Sequence, residues 1–166
     1  MRAGIALGSN VGDRLANLRS GRAATLRLPD VNAPAISSRI YETEPIGTAL
    51  DAGAFLNAVV EVEFDGHPMA LLDALQEIEK AHGRPSKRPR NASRALDLDI
   101  LYVGNLVLTN EEIVIPHPRM HLRRFVLTPL KDIRPDLILP GQHQTIAQFL
   151  AALSDSAAVE LFASEW

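Results

Sequence analysis

The stretch from residue 55 to residue 103 most constrains what this chain can build, because it sets two strand patterns around one strong helix pattern. Phe55 to Phe64 alternates Leu56, Ala58, Val60 and Val62 against Asn57, Val59, Glu61 and Glu63, the period of a β-strand. Pro68 opens a helix with an apolar stripe of Leu71, Leu72, Leu75 and Ile78, and Gly83 stops it. Leu96 to Val103 reads as a strand again, with Gly104-Asn105 as a hairpin turn into Leu106-Val107-Leu108. Strand, helix and strand in that order call for a sheet with helices packed on it.

The flanking segments agree. Gly4 to Leu7 is a short apolar strand that runs into Gly8-Ser9-Asn10. Asp13 can cap a helix reaching about Leu28, with Leu15, Leu18 and Leu26 facing inward. Ile36 to Thr43 is strand-like, and Ile113 to Ile115 is a short extended piece. Helices are expected over Arg124 to Lys131 and over Thr145 to Leu153, the latter with Ile146, Phe149, Leu150 and Leu153 on one face. The sum is an α/β (α+β) fold with a mixed, mainly antiparallel sheet covered by helices. A chain of 166 residues without repeats or linkers fits one domain, residues 1–166.

Composition narrows the function classes. The chain is 46% hydrophobic, enough for a core, but no apolar run of about 18 residues exists to cross a membrane. The start, MRAGIALGSN, turns polar too early for a secretion signal. Without cysteine there is no disulfide framework and no thiolate chemistry, which suits the cytoplasm. A net charge of −3 argues against a general nucleic-acid binder. Yet Arg84, Lys87, Arg88, Arg90 and Arg94 fall within eleven residues that contain no acid, and this calls for an anionic partner.

Directly after that basic loop stands Asp97-Leu98-Asp99. Residues two apart on a strand share a face, so the carboxylates project together, roughly 7 Å apart at Cα, while Leu98 and Ile100 enter the core. Paired hard oxygen donors suit Mg²⁺ when substrate phosphates complete its shell. Two solvated aspartates on a polar face give the same pattern. Guanidinium groups grip phosphate oxygens, so the loop and the Asp pair together suit phosphoryl transfer. Gln76 and Glu79 share a helix face, where Glu79 also fits a structural pair with Arg84. GSNVGDR lacks the Lys-Ser/Thr of a phosphate loop and is read as a turn. His117 and His121 are spaced by four, but Pro118 begins a turn that leaves His117 outside any regular helix, which speaks against a transition-metal site. A metal-dependent hydrolase could combine them with the Asp pair, but the acid-free loop would then have no purpose. An RNA-binding module would explain the loop and not the Asp pair. Phe55, Phe125 and Tyr41 each read as core residues in isolation.

In order, LGSNVGDR, SSRIYETEPIG, FLNAVVEV, QEIEKAHGR, RALDLDILYVGN and PHPRMHLRRFVLTPL resemble the 6-hydroxymethyl-7,8-dihydropterin pyrophosphokinases of folate biosynthesis, over residues 4 to about 140. The resemblance implies a three-layer α/β/α fold on a ferredoxin-like core. It implies transfer of pyrophosphate from ATP with release of AMP, assisted by two Mg²⁺ ions; a monomer is expected. Asp97 and Asp99 would hold both metals, and Arg84 and Arg94 would be the catalytic arginines. Phe55 and Phe125 would sandwich the pterin, with Asn57 on its edge and Thr43 and Ile46 offering backbone groups. Gln76, Glu79, Ile100, His117 and Arg123 would line the ATP site with the two arginines. Ser86 and Asn91-Ala92-Ser93 depart from a second Arg and a Trp-Gly-Pro common in the family, and Glu112 from an ATP-contacting Arg of some relatives; the same changes fit a divergent paralogue with weak activity or another alcohol substrate.

Overall fold

The computed structural model of the chain describes residues 1–44, 53–83, 94–154 and 157–166. Its main sheet contains β1 (Arg2–Ser9), β2 (Val31–Ser37), β3 (Ile40–Thr43), β4 (Phe55–Phe64), β5 (Asp97–Val103) and β8 (Val159–Ala163). Strand order is β5-β1-β4-β3-β8, and β2 also pairs with β4. Every pairing among the described strands of this sheet is antiparallel. Helices α1 (Arg14–Thr25) and α2 (Pro68–Ala81) cover one face. The other face carries a 3-10 turn at Met120–Leu122, α3 (Arg124–Ile133) and α4 (Ile146–Ala152).

Two apolar clusters fill the spaces on either side. Ile5, Leu7, Leu56, Val60, Leu98 and Ile100 pack with Leu18 of α1 and with Leu71 and Leu75 of α2. Val59 and Leu101 pack from the opposite strand faces against Val126, Leu127 and Leu130 of α3 and Ile146 of α4. The alternation in β4 therefore does not divide core from solvent. Asn57, Val59 and Glu61 are buried as fully as their neighbours because α3 lies over them. This is an α/β fold with a ferredoxin-like core, as expected.

The helix signals act where the sequence puts them. Asp13 caps α1 by accepting the Ala16 amide at 2.9 Å. Thr145 and Gln148 form a reciprocal capping box at the start of α4. Three segments differ from expectation. Ile36 to Thr43 is two strands rather than one, split where Ser38 turns its hydroxyl to accept the Val59 amide at 2.8 Å. The chain does turn at Gly104-Asn105, but β6 (Leu108–Thr109) pairs with β7 (Val114–Ile115) and not with β5. Asn110 directs this, since its Oδ1 accepts the amides of Glu112 (2.9 Å) and Ile113 (2.8 Å) and folds the segment on itself. Finally, β8 adds to the edge of β3 and leads to Trp166, whose indole N–H donates to the Ser38 carbonyl at 2.7 Å.

Candidate active site

Strand register brings distant residues together across three strands. Gly8 of β1 lies opposite Asn57 of β4 on one side and Asp97 of β5 on the other, and Ala6 lies opposite Asp99. Because β1 carries such small residues here, its surface is a floor between taller walls. A Cβ at Gly8 would stand 3.5 Å from Asn57 Oδ1 and 3.9 Å from the Asp97 Cβ. The resulting cleft is lined by Gly8, Asn57, Asp97, Asp99 and Phe125, the last from the first turn of α3.

Asp97 and Asp99 share this face while Leu98 and Ile100 point into the core, as the spacing predicts. Each carboxylate has a guanidinium beside it. Arg94 Nη1 donates to Asp97 Oδ1, and Arg123 Nη1 is 3.8 Å from Asp99 Oδ2. The Arg123 guanidinium also lies 5.6 Å from the Phe125 ring centre. The cleft thus combines carboxylates, cations and an aromatic face.

Asn57 is 7% exposed and Thr43 is 6% exposed, and Asn57 Nδ2 donates to Thr43 Oγ1 at 2.8 Å. With that donor committed, Oδ1 is the Asn57 atom nearest the space above Gly8. Phe55 heads β4 opposite Thr43, and it lies outside the residues lining the cleft. Gln76 is exposed on α2, whereas Glu79 is 1% exposed and accepts the Leu98 amide at 2.8 Å. Glu79 thereby ties α2 to the edge strand between the two aspartates. Ile100 is buried in the core, so any contact it makes with a ligand falls to its backbone. Arg84 and Ile46 lie outside the described residues, as do Ser86 and Asn91-Ala92-Ser93. Glu112 is exposed.

His117 is anchored beside β5, its amide donating to the Leu101 carbonyl at 2.8 Å and its Nδ1 accepting the Arg119 amide at 3.1 Å. Burial, reinforced by the charges of Arg123 and Arg119, pushes its pKa down to about 4. At neutral pH the ring is uncharged, with its proton on Nε2 as a donor. Since the folded chain binds this proton more weakly than an ordinary imidazole near 6.5, the associated stability is present above that value and is lost as pH falls toward about 4. The ligand-free His117→Asn variant should therefore lose less Tm than the unsubstituted protein between pH 7 and about pH 4.5. Equal losses would contradict this assignment. His121 turns elsewhere, with its ring centre 5.7 Å from that of Phe149. Among the described residues no group of three His, Cys, Asp or Glu could hold a metal ion, which is what a hydrolase centre on His117 and His121 would require.

Two residues of this region belong to a segment that the sequence alone reads as a turn. Asn10 and Arg14, in GSNVGDR, hydrogen-bond to Arg94 and to the residues flanking Thr43 and Phe55. The motif itself was the available signal, since an Asn and an Arg are not needed merely to turn a chain.

Comparison with known proteins agrees with the geometry. Residues 4–135 match the family model described as 7,8-dihydro-6-hydroxymethylpterin-pyrophosphokinase. A Haemophilus influenzae 2-amino-4-hydroxy-6-hydroxymethyldihydropteridine pyrophosphokinase is 39% identical over 95% of this chain and 96% of its own length. The Bacillus subtilis protein of the same name is 43% identical over 78% of this chain and 75% of its own length. Among solved structures, wild-type Plasmodium falciparum HPPK-DHPS with pteroate superposes with a TM-score of 0.68 at 15% identity, over 90% of this chain. The chain spans only 42% of that longer protein, and at this identity the likeness speaks for the fold. No helix among the described residues is long and apolar enough to cross a membrane. The chain belongs to the 7,8-dihydro-6-hydroxymethylpterin-pyrophosphokinase family.

Proposed function

We propose that this chain transfers the pyrophosphoryl group of ATP to the hydroxymethyl oxygen of 6-hydroxymethyl-7,8-dihydropterin, releasing AMP, in folate biosynthesis. The observation that carries this reading is the cleft in which Asp97 and Asp99 project beside Asn57 and Phe125, in a chain of this family. In the reaction the hydroxymethyl oxygen bonds to the β-phosphorus. The bond from that phosphorus to the oxygen shared with the α-phosphorus breaks, and the hydroxyl proton passes to solvent.

The donor set fits Mg²⁺: two hard carboxylates on one strand face, with the remaining ligands left to phosphate oxygens and water. Asp97 and Asp99 would hold both ions, which supply charge neutralisation at the phosphate oxygens. Phe125 gives the pterin an aromatic face, and Phe55 is assigned to its other side. Asn57 Oδ1 can accept from an N–H on the ring edge, and Thr43 keeps that amide in orientation. Thr43 and Ile46 would contribute backbone groups. Arg123, beside Asp99, and the neutral His117 would face the phosphates of ATP, and Gln76, Glu79 and Ile100 would border the nucleotide. Little covalent work is left to the protein, because positioning and electrostatics dominate such transfers.

Arg84 and Arg94 would stabilise charge that builds up as the pyrophosphoryl group moves. The hydrogen bond from Arg94 to Asp97 supports this reading, since it sets a guanidinium beside one of the proposed metal ligands. Arg94→Ala should lower kcat about a hundredfold while changing the KM for pterin little, because the lost interaction belongs to the transition state. A rise in KM with unchanged kcat would make Arg94 a plain binding residue. For the activity itself, ATP consumption with Mg²⁺ must depend on the pterin and yield AMP. Pterin-independent release of phosphate would overturn the assignment.

A further inference from the structure

The turn between β1 and α1, Ser9 to Arg14, contains none of the residues assigned above to the pterin or to ATP, yet it is built as a hydrogen-bonded hub. Asn17 Nδ2 donates to the Val11 carbonyl at 2.9 Å and to Ser9 Oγ at 3.3 Å, and Asp13 caps the helix that follows. Two side chains leave this hub in different directions. Asn10, 6% exposed, pairs twice with the backbone of Arg94: its backbone N–H donates to the Arg94 carbonyl at 3.1 Å, and its side-chain Oδ1 accepts the Arg94 amide at 2.7 Å. Arg14 Nη1 donates to Glu42 Oε1 at 2.6 Å and to the Ala54 carbonyl at 2.8 Å, and the Phe162 ring centre lies 5.8 Å from its guanidinium. Glu42 and Ala54 are the chain neighbours of Thr43 and Phe55, which face each other at the ends of β3 and β4.

We propose that Asn10 and Arg14 are positioning residues that set the two halves of the cleft independently. Asn10 fixes the backbone of Arg94, from which the guanidinium reaches toward Asp97. Arg14 fixes the strand ends that present Thr43 and Phe55 to the pterin. The roles assigned to Arg94, Thr43 and Phe55 come from the pyrophosphokinase reading, on which this inference rests. Reactions governed by placement lose rate steeply when a group shifts by an ångström, so the Asn10 arm should act on kcat and the Arg14 arm on pterin affinity.

The test is a crossed comparison. Asn10→Ala should lower kcat about tenfold and leave the pterin Kd within about twofold, whereas Arg14→Ala should weaken the pterin Kd about fivefold to tenfold and spare kcat at saturation. Asn10→Asp keeps the oxygen that accepts the Arg94 amide and should recover most of the lost kcat. Independently of turnover, the Arg94 amide proton should exchange faster with solvent in Asn10→Ala than in the parent or in Asn10→Asp. All rates are taken below the lowest Tm of the set. Unchanged kcat in Asn10→Ala, equal losses of both quantities in both variants, or an Asn10→Asp variant as poor as Asn10→Ala would overturn the proposal. If Asn10→Ala does not fold, Asn10→Asp decides: near-parental kcat supports the anchor, and a tenfold loss refutes it. If the parent protein itself forms no AMP, the pyrophosphokinase reading fails, while Arg94 exchange and pterin binding still judge the two anchors.

Discussion

Replacing Asp97 or Asp99 by Ala is expected to abolish turnover and leave the fold in place. Both side chains project from β5 into the cleft, and under the proposed mechanism they hold the metal ions that neutralise the transferring phosphates. Metal stabilisation of this kind is worth several kcal/mol, so a loss of about a thousandfold or more in kcat is expected from either substitution. Stability should respond far less. The Asp99 side chain is 45% exposed and the Asp97 side chain 25%, and partly solvated ion pairs such as theirs with Arg123 and Arg94 contribute about 1 kcal/mol or less. Steady-state kinetics with thermal melts on the same samples checks both halves. Near-normal activity in either variant would remove the two-metal model.

The largest stability effect is expected far from the cleft. Glu61 of β4 is 4% exposed, beneath the C-terminal end of α3. Arg134 grips it at both oxygens, at 2.5 to 3.0 Å, and the buried Tyr102 hydroxyl donates to it at 2.5 Å. Gly4 makes this possible, because a Cβ there would come within 2.3 Å of the Tyr102 ring. Removing one partner of such a network leaves a charge and a hydroxyl without an acceptor. Glu61→Ala should therefore cost about 3–5 kcal/mol, or roughly 10 °C in Tm for a domain of this size. Burial alone would raise the Glu61 carboxyl, but Arg134 and Tyr102 outweigh it and hold its pKa below the usual 4.5. The stability it contributes is thus present above pH 4.5 and is lost as pH falls below that value. Urea unfolding at neutral pH and at about pH 3.5 checks this, with the gap between parent and variant shrinking in acid. A neutral-pH loss below about 1 kcal/mol would show that the network is decorative.

What the sequence made legible follows from the range of the interactions. The α1 cap, the α2 stripe and the strand period of β4 depend on residues a few positions apart, so those elements lie close to where the pattern put them. The shared face of Asp97 and Asp99 is likewise a local consequence of strand geometry. Burial of Asn57 and Glu61 was not legible from alternation, because a second helical layer covers that face. The strand β8 has a mainly exposed pattern and gains its place only by pairing with β3. The roles of Asn10 and Arg14 depend on partners 84, 28 and 40 residues away, beyond the reach of any local pattern. Family resemblance names the residues expected at the ligands and leaves as mere connection the turn that hydrogen-bonds to Arg94, Glu42 and Ala54.

We propose that Asp97, Asp99, Asn57 and Phe125 join ATP and pterin in one transfer of two phosphorus atoms. Phosphorus NMR of a reaction containing the protein, ATP, Mg²⁺ and 6-hydroxymethyl-7,8-dihydropterin tests it most directly. Two mutually coupled phosphorus signals on the pterin product are expected together with the single resonance of AMP, and neither with Asp97→Ala. A pterin carrying one phosphorus beside ADP, or inorganic phosphate with the pterin unchanged, would contradict it.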